Sequence, residues 1–413
     1  MLANKKDRNK LKIINDPVYG FIAITDELIF DIIEHRYFQR LRRISQTALT
    51  SYVYPGAHHT RFHHAIGAMH LTKNAIEVLR FKGHKISEEE ELATLIAILL
   101  HDMGHGPYSH ALEHSIVPSV THEEISVRFM HKLNEEFNNR LSLAIQIFEN
   151  RYKKKFLHQL ISSQLDMDRM DYLNRDSFYS GVVEGAINSK RLITMLNVAN
   201  DNLAIDDKGI YSVEKFLVAR RLMYWQVYLH KTVIVSEKLL TKALSRARKL
   251  ALEGVELFSS SSLSYFLKRN WDVNEFEQED LEMFSKLDDY DVFGAIKEWT
   301  NHNDKILSDL SKRLTDRKLL KIRLGDVPIE SSYVDSLRSK VAKAFDISFE
   351  ETENYIIQGK VENNAYIKDH DSIFLLKKDG EVQDIAFSPD QQSVSAISEA
   401  MKKYYLIYPR EVE

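Results

Sequence analysis

The sequence predicts a mainly α-helical protein with small β-hairpins and a smaller α/β region at its C-terminal end. Glycine and proline are sparse, at 14 and 7 of 413 residues, which favours long helices over a turn-rich β fold. Apolar residues recur at helical spacing through most of the first 315 positions. From residue 319 onward, short β-like runs such as LLKIRLGDV and YYLIYP replace that pattern.

The N-terminal part predicts one hairpin followed by helices. Residues 11–25 alternate around Asp-Pro and Tyr-Gly, which indicates a short hairpin. Asp26 and Ser87 precede glutamates and predict helix N-caps. The predicted helices cover residues 27–46, 61–81, 88–103, 122–137, 141–148 and 156–163.

The rest of the chain predicts a long helix, a linker and a small C-terminal region. Residues 200–211 indicate a second hairpin that turns at Asp207-Lys208-Gly209, and 212–253 form the longest helical pattern. The acidic segment 272–290 is expected to be solvated and to lead into helices up to about residue 315. We therefore divide the chain into residues 1–318 and a region at 319–413, with a hairpin turn at Lys378-Asp379-Gly380 and a role in oligomerisation or regulation.

The composition excludes several classes of function. The formal net charge is −4, so no overall basic field favours nucleic acid as a partner. Cysteine is absent, so any metal must be held by His, Asp or Glu. The longest apolar stretch, residues 92–100, is far shorter than the ~20 residues of a membrane span, and the charged N-terminus lacks the apolar core of a signal peptide. We expect a cytoplasmic protein with no membrane segment.

Histidines and aspartates are concentrated in three segments: LLHDMGHGPYSH, RFHH and LDMDRMDYLNRD. In RFHH, Arg61 and His64 are spaced i, i+3 and share one helix face. Helices that surround a pocket could bring four of these side chains to one metal ion. The predicted ligands are His64, His101, Asp102 and Asp168. Two nitrogen and two oxygen ligands suit Mn, Fe, Co, Ni or Zn and leave positions for water or a phosphate oxygen.

The long helical pattern at 212–253 offers a second indication. Arg220, Tyr224 and Lys231 are spaced i, i+4 and i+11, which places them close to one face of a continuous helix. Such a row could line a groove for a triphosphate and a nucleoside, although a solvated helix face would show the same pattern.

Six motifs occur in an order that resembles a known family. They are INDPVYG, YFQRLRRISQ, YPGAHHTRFHHAIG, HDMGHGPYSH, THEE and DMDRMDYLNRD. The chain resembles the HD-domain metal-dependent phosphohydrolases over about residues 11–235, in the branch that hydrolyses dNTPs. The resemblance implies an HD-domain helical core, one divalent ion per site, Mg bound with the substrate phosphates, and a deoxynucleoside and tripolyphosphate as products. No SAM domain is expected before Leu11.

The resemblance also implies roles for individual residues. His122 matches the catalytic histidine, Glu113 the carboxylate that orients it, and His105 and His110 the imidazoles beside the phosphates, with His110 as proton donor to the leaving oxygen. The implied substrate-binding residues are Arg61, Gln46, Thr47, Arg169, Tyr172, Asp176, Arg220 and Tyr228, and the helix spacing described above adds Lys231. The sequence departs from the family pattern at His63, Arg169 and Leu229, where relatives have an acid, a lysine and a glutamine.

The same resemblance implies regulation. Asn15, Asp16, Gln39 and Arg42 match regions that contact an effector nucleotide in regulated relatives, which implies a nucleotide effector and a homo-oligomer, either a dimer or a tetramer. Two other functions stay open. The metal site would also serve an HD-type nucleotide phosphatase or phosphodiesterase, and the pocket could bind a nucleotide as a non-catalytic sensor.

The other histidines carry no such pattern. We interpret them as ordinary hydrogen-bonded core or surface residues, because most lone histidines are. They are His58, His59, His70, His84, His114 and His131.

Overall fold

An N-terminal hairpin precedes the helices. The computed structural model describes residues 12–118, 120–270, 275–363, 366, 372–387 and 401–413. Strands β1 (Lys12–Asp16) and β2 (Gly20–Ile24) pair antiparallel. The Asp16 carboxylate accepts hydrogen bonds from the backbone N–H groups of Val18 and Tyr19, both at 2.9 Å, and so closes the turn. The predicted hairpin is confirmed.

The predicted helix over 27–46 is wrong in its length. It divides into α1 (Glu27–Glu34), α2 (Arg36–Gln39) and a 3-10 turn over Arg40–Arg43. His35 is extended, with φ −69° and ψ 139°, and its ring accepts a hydrogen bond from the Tyr37 N–H. The histidine therefore acts as an N-cap where the apolar periodicity indicated a continuous helix.

Helix α3 (Arg61–Phe81) is the central helix and was predicted with the same bounds. The N–H of its N-cap, Thr60, donates to Nδ1 of His63 at 3.2 Å. His63 thus takes the capping-box position that an acid usually fills, which accounts for one departure from the family pattern. Helix α4 (Glu88–Leu100) packs against α3 and begins at Ser87, whose hydroxyl accepts from the Glu90 N–H at 3.1 Å.

The next eight described helices follow α4 along the chain. They are α5 (Glu113–Ile116), α6 (His122–Glu136), α7 (Ser142–Phe148), α8 (Lys155–Gln159), α9 (Met167–Ser180), α10 (Ser189–Met195), α11 (Ile210–Met223) and α12 (Lys231–Leu252). Of these, α9 packs along α3, and α7 packs against α4.

The long helix predicted over 212–253 is interrupted. Residues Tyr224–Tyr228 form a π-helical turn, and the N–H of Leu229 donates to the Tyr224 carbonyl at 2.7 Å. His230 is extended (φ −61°, ψ 136°) and caps α12. The direction of the chain therefore changes before Lys231, although neither proline nor glycine marks the position.

The second hairpin lies earlier in the chain than its predicted span, 200–211, and predicted turn, 207–209. Strands β3 (Leu196–Ala199) and β4 (Asn202–Asp206) turn at Asn200 and Asp201, with φ of 51° and 61°. Asn and Asp tolerate this left-handed conformation. The predicted turn at Asp207–Gly209 is instead a 3-10 turn that leads into α11.

The acidic segment is more structured than expected. Its residues 272–274 lie outside the described residues, and the remainder includes α14 (Gln278–Phe284) and the start of α15 (Asp289–Trp299), which follow α13 (Ser261–Lys268). Asp280, Asp288 and Asp289 are buried, so the prediction of a solvated segment is wrong for them. Helix α16 (Lys305–Thr315) then ends the helical part as predicted.

The C-terminal region combines a helix with strands of two sheets. Strands β5 (Lys321–Gly325), β6 (Ile357–Asn363) and β9 (Met401–Tyr408) form a sheet in the order β5-β9-β6, and α17 (Ser331–Phe345) connects β5 to β6. The predicted hairpin at 378–380 joins β7 (Phe374–Leu376) to β8 (Val382–Asp384). Because β7 pairs in parallel with β4, residues on both sides of position 318 share one sheet, and the domain boundary stays a prediction.

The described structure confirms a mainly helical fold with small sheets of two to four strands. No helix among the described residues is both long and apolar enough to cross a membrane.

Candidate functional site

Three helices place the four predicted metal ligands together. His64 lies in the first turn of α3, His101 and Asp102 follow the last residue of α4, and Asp168 lies in the first turn of α9. The C-terminal end of α4 and the N-terminal end of α9 meet the start of α3, because α4 and α9 both pack on α3. Residues more than a hundred positions apart in the sequence therefore face one another.

The distances among His64, His101 and Asp168 fit a shared ion, and Asp102 lies beside them in an ion pair with Arg61. Nε2 of His64 lies 3.0 Å from Oδ1 of Asp168, 3.4 Å from Nε2 of His101 and 3.6 Å from Oδ2 of Asp102. Nε2 of His101 lies 3.4 Å from Asp102 and 3.5 Å from Asp168. Ligands bound to one ion at about 2.1 Å lie about 3.0–3.5 Å apart at tetrahedral or octahedral angles. The residues present thus fit a divalent cation.

Both imidazoles are oriented by their other nitrogen. Nδ1 of His64 lies 2.7 Å from Oδ2 of Asp171, and Nδ1 of His101 lies 2.6 Å from the Ile98 carbonyl. These acceptors hold the proton on Nδ1 and leave the Nε2 lone pair for a cation, an arrangement typical of metal-binding histidines.

Asp171 is a functional residue that the sequence did not separate from its neighbours. It binds Arg175 through two hydrogen bonds of 2.9 Å, and Arg175 binds Asp16 of the N-terminal hairpin at 2.7 Å. A β-carbon at Gly67 would overlap the Asp171–Arg175 pair, so this glycine permits the close approach of α9 to α3. The spacing of DMDRMD alone could not show which aspartate supports the ligand histidine.

A second group of imidazoles lies beside the metal-fitting residues. The rings of His105 and His122 are stacked, with centroids 3.9 Å apart and planes 17° apart, and the His110 ring lies edge-on to both. Glu113 accepts from Nδ1 of His122 at 2.5 Å and from Nδ1 of His110 at 3.0 Å. Hydrogen bonds from His110 and His122 hold the pKa of Glu113 well below its usual range although the group is partly buried.

These three imidazoles are close enough together to suggest a second metal site, but their orientation argues against it. Lone pairs of imidazoles lie in the ring planes, so the stacked rings of His105 and His122 cannot both point at one ion. Burial and the charge of Arg61 hold the pKa of His105 well below its usual range. We interpret this group as hydrogen-bonding and proton-transferring side chains.

Local backbone geometry positions this imidazole group. A β-carbon at Gly104 would overlap the backbone of His122, so the glycine lets α6 approach the turn after α4. Tyr108 and Ser109, just before His110, have left-handed φ values of 53° and 52°. The Tyr108 N–H donates to Asp289 at 2.7 Å, so a residue of the acidic segment stabilises this unusual turn.

One cavity of about 650 Å³ connects these groups, and we call it the central cavity. Its walls include most of the predicted residues: Gln46, Thr47, Arg61, His101, Asp102, His105, His110, His122, Asp168, Arg169, Tyr172, Asp176, Tyr224 and Tyr228. Gln46 Oε1 and Thr47 Oγ1 are buried and have no hydrogen-bond partner among the described residues. Buried polar atoms without partners on a cavity wall indicate a place where a ligand or water supplies the missing hydrogen bond.

The two arginines of the cavity are held by acids. Arg61 forms an ion pair with Asp102 and donates from Nε to Ser109 Oγ at 2.8 Å. Arg169 forms an ion pair with Asp166, the N-cap of α9. Both guanidinium groups face the cavity and are therefore placed to bind an anion.

Four of the predicted residues lie outside the cavity wall. His64 and Glu113 lie behind it and act through the contacts described above. Arg220 is buried, with its guanidinium carbon 6.0 Å from the centre of the Tyr224 ring.

Lys231 is the largest deviation from prediction. It lines a different cavity, of about 570 Å³, together with Arg313, Arg317, Lys321 and Arg410. Its predicted place on one face with Arg220 and Tyr224 was wrong, because the π-helical turn and His230 separate α11 from α12.

Of the residues matched to effector contacts, Asn15 and Asp16 lie in β1, Gln39 lies in α2 and Arg42 lies in the 3-10 turn that follows. Asn15 is exposed, whereas Asp16 is buried in its pair with Arg175. Nε of Arg42 donates to the Gln39 side chain at 2.8 Å, and the Arg42 guanidinium stacks 3.6 Å from the centre of the Phe62 ring.

Glu237 of α12 is a cavity residue that the sequence analysis missed. Removal from water raises the pKa of its carboxyl to about 7, against a small opposing effect of Lys238. One turn later, Thr241 donates to the Ala111 carbonyl at 3.1 Å, which fixes α12 against the turn that bears His110. A single glutamate in a helical pattern gave no signal of this position.

Comparisons with known proteins agree with this geometry. Residues 61–176 match the HD domain and residues 187–260 match the HD associated region. The chain is 35% identical over 320 residues to the uncharacterized protein YwfO of Bacillus subtilis, covering 75% of this chain and 71% of that protein. It is 28% identical over 383 residues to the deoxynucleoside triphosphate triphosphohydrolase SAMHD1 of Homo sapiens, covering 81% of this chain and 59% of that protein.

A solved structure also supports the assignment to a phosphohydrolase family. A phosphohydrolase from Bacteroides thetaiotaomicron superposes with a TM-score of 0.93 at 50% identity, covering 97% of this chain and 100% of that one. The chain therefore belongs to the HD-domain phosphohydrolases and resembles the deoxynucleoside triphosphate triphosphohydrolases among them.

Proposed function

We propose that this chain hydrolyses deoxynucleoside triphosphates to a deoxynucleoside and tripolyphosphate. The observation that carries the proposal is the central cavity, which joins a metal-fitting group, a Glu113-bound imidazole group and a wall of uncharged polar and aromatic side chains. A dNTP requires these three environments in one cleft, because its triphosphate, α-phosphorus and nucleoside differ in charge and polarity.

The cationic end of the cavity suits the phosphates. Arg61 and Arg169 supply charge there, and guanidinium groups bind phosphate oxygens through paired hydrogen bonds. In the described structure both arginines pair with aspartates. A triphosphate would compete with those carboxylates for the same N–H groups.

A second part of the cavity wall, which is aromatic, suits a nucleoside. The rings of Tyr172 and Tyr224 each form an edge-to-face contact with the ring of Tyr228. The ring centroids of Tyr172 and Tyr224 lie 6.3 Å and 5.2 Å from that of Tyr228. Gln46, Thr47 and Asp176 add polar atoms to the cavity wall, and Asp176 accepts from the Tyr228 hydroxyl. Aromatic walls with a few polar atoms are typical of sites that bind a sugar and a base.

The imidazole group suits the leaving oxygen. In the proposed reaction a water oxygen bonds to the α-phosphorus and gives up a proton to solvent, the bond from the α-phosphorus to the 5′ oxygen breaks, and the 5′ oxygen takes up a proton. His110 is our candidate donor of that proton, and Glu113 orients both His110 and His122 through their Nδ1 atoms.

His64, His101, Asp102 and Asp168 would hold the divalent ion, for which we propose Mn, Fe, Co, Ni or Zn. Such an ion polarises a phosphate oxygen and lowers the pKa of a bound water. Mg would accompany the substrate phosphates. We further propose a homo-oligomer, a dimer or a tetramer, that binds an effector nucleotide near Asn15, Asp16, Gln39 and Arg42.

A product-resolved assay tests the proposal. Purified protein is incubated with each dNTP, rNTP and nucleoside monophosphate in the presence of Mn, Mg, Co or Zn, with and without a second nucleotide. Tripolyphosphate and deoxynucleoside in equal amounts would support the proposal. Release of inorganic phosphate from monophosphates would favour a phosphatase, and binding without turnover a sensor.

A further inference from the structure

His59 is a buried histidine that no part of the proposed mechanism uses. It precedes α3 by two residues and is 1% exposed, whereas its neighbour His58 is exposed. Its ring stacks on Tyr179 of α9, with centroids 4.5 Å apart and planes 14° apart. The stacking fixes the plane of the imidazole, so its nitrogens have set directions.

The His59 side chain is bound to a wall residue of the central cavity. Nε2 of His59 lies 2.6 Å from Oδ1 of Asp176, and because a carboxylate only accepts, Nε2 donates. Oδ2 of the same carboxylate accepts from the Tyr228 hydroxyl, also at 2.6 Å. Both oxygens of Asp176 are therefore held in place, Oδ1 by His59, which does not line the cavity, and Oδ2 by Tyr228, which does.

The His59 backbone binds a second segment of the cavity wall. Its carbonyl accepts from the Gln46 N–H at 3.1 Å, and the adjacent Thr60 forms a β-bridge with Ser45. One residue thus fixes the segment of Gln46 and Thr47 through its main chain and fixes Asp176 through its side chain.

We propose that His59 is a positioning residue for the sugar, which holds the Asp176 carboxylate so that it accepts a hydrogen bond from the deoxyribose hydroxyl. This inference rests on the proposed function. Each carboxylate oxygen has two lone pairs, so Asp176 can accept from the sugar while His59 and Tyr228 remain bound. The 5′ oxygen of a dNTP is esterified, so the 3′ hydroxyl is the sugar's only free donor.

The experiment compares three substitutions. His59→Phe keeps an aromatic ring against Tyr179 but removes the donor, and His59→Gln retains an N–H donor at the end of its side chain. His58→Gln is the matched control, because it changes the exposed neighbour. Thermal unfolding first shows whether each variant is folded.

Three probes are then bound to each folded protein: a non-hydrolysable dNTP analogue, the same analogue without its 3′ hydroxyl, and inorganic tripolyphosphate. We expect His59→Phe to weaken binding of the dNTP analogue about tenfold, which is the effect of losing one charge-assisted hydrogen bond. The 3′-deoxy analogue and tripolyphosphate should bind as they do to the unsubstituted protein, and His59→Gln should restore part of the affinity.

Other results overturn the inference. If His59→Phe binds the dNTP analogue normally, or binds all three probes more weakly by the same factor, His59 has no specific role toward the sugar. If the unsubstituted protein binds tripolyphosphate but neither nucleotide, the proposed function fails as well. The His59–Asp176 bond is tested without any nucleotide by ¹⁵N NMR of labelled histidine, in which Asp176→Asn should shift the Nε2 resonance of one buried ring. An unchanged spectrum would also contradict the inference.

Discussion

Nδ1 of His64 lies 2.7 Å from Oδ2 of Asp171, and this contact directs the opposite edge of the imidazole toward His101, Asp102 and Asp168. Asp171 continues through Arg175 to Asp16, so a predicted metal ligand is connected to the N-terminal hairpin by a buried chain of charged groups.

Replacing Asp171 should weaken metal binding without removing a ligand. We expect Asp171→Asn to reduce the affinity for the ion about 10–100-fold, the usual effect of losing the group that orients a ligand histidine. Titration of metal-free protein by isothermal calorimetry measures the change. Asp168→Asn, which removes a proposed ligand, is the comparison and should reduce binding further. Equal affinities for Asp171→Asn and the unsubstituted protein would contradict the orienting role.

Removing a proposed metal ligand should abolish both metal binding and hydrolysis. We expect His101→Ala to contain much less than one ion per chain by elemental analysis and to lose at least about 10²-fold in rate, because the ion supplies charge stabilisation and an activated water. Chelation of the unsubstituted protein should give the same loss, reversed by adding metal back. Full activity in metal-free protein would exclude the proposed chemistry.

Glu113 should affect the rate more than substrate binding. Its carboxylate contacts Nδ1 of His110 and of His122 and does not lie on the cavity wall. We expect Glu113→Gln to lower kcat about 10²-fold with little change in KM, because it acts through the proton-transferring imidazoles.

The control for Glu113 is Glu123→Gln. That carboxylate is exposed and lies 3.9 Å from Nε2 of His122, so the same charge is removed nearby. A loss of kcat as large in the control as in Glu113→Gln would mean that general charge, and not orientation, explains the effect.

Glu237 should make stability depend on pH. The cavity raises the pKa of Glu237 to about 7, so in the folded protein this carboxyl keeps its proton at pH values where the unfolded chain has lost it. The unfolded state then binds fewer protons, and stability falls as pH rises from about 4.5 to about 7. Glu237→Gln removes this penalty, so it should stabilise the protein at pH 8 by on the order of 2 kcal/mol and progressively less toward pH 5.

Thermal or denaturant unfolding at pH 5 and pH 8 measures this difference. Glu298→Gln, a substitution of an exposed glutamate on α15, should show no such pH dependence. If Glu237→Gln increases the free energy of unfolding equally at both pH values, the Glu237 carboxyl does not titrate in this range.

Local sequence predicted the elements whose signals are themselves local. The bounds of α3, the Ser87 cap of α4 and the N-terminal hairpin follow from side chains within a few positions of one another. The interruptions at His35 and at Tyr224–Tyr228 were missed, because the apolar periodicity continues through both and tertiary packing decides them.

The sequence by itself determined the chemistry of the site: an adjacent His101-Asp102, further histidines and aspartates in a family order, and no cysteine. Only the tertiary structure decided which side chains meet. It placed the predicted ligand Asp168 beside His101, set Asp171 to orient His64, brought His59 behind Asp176, and moved Lys231 to another cavity. The physical reason is that helical periodicity depends on neighbours a few residues apart, whereas these contacts depend on how whole helices pack against one another.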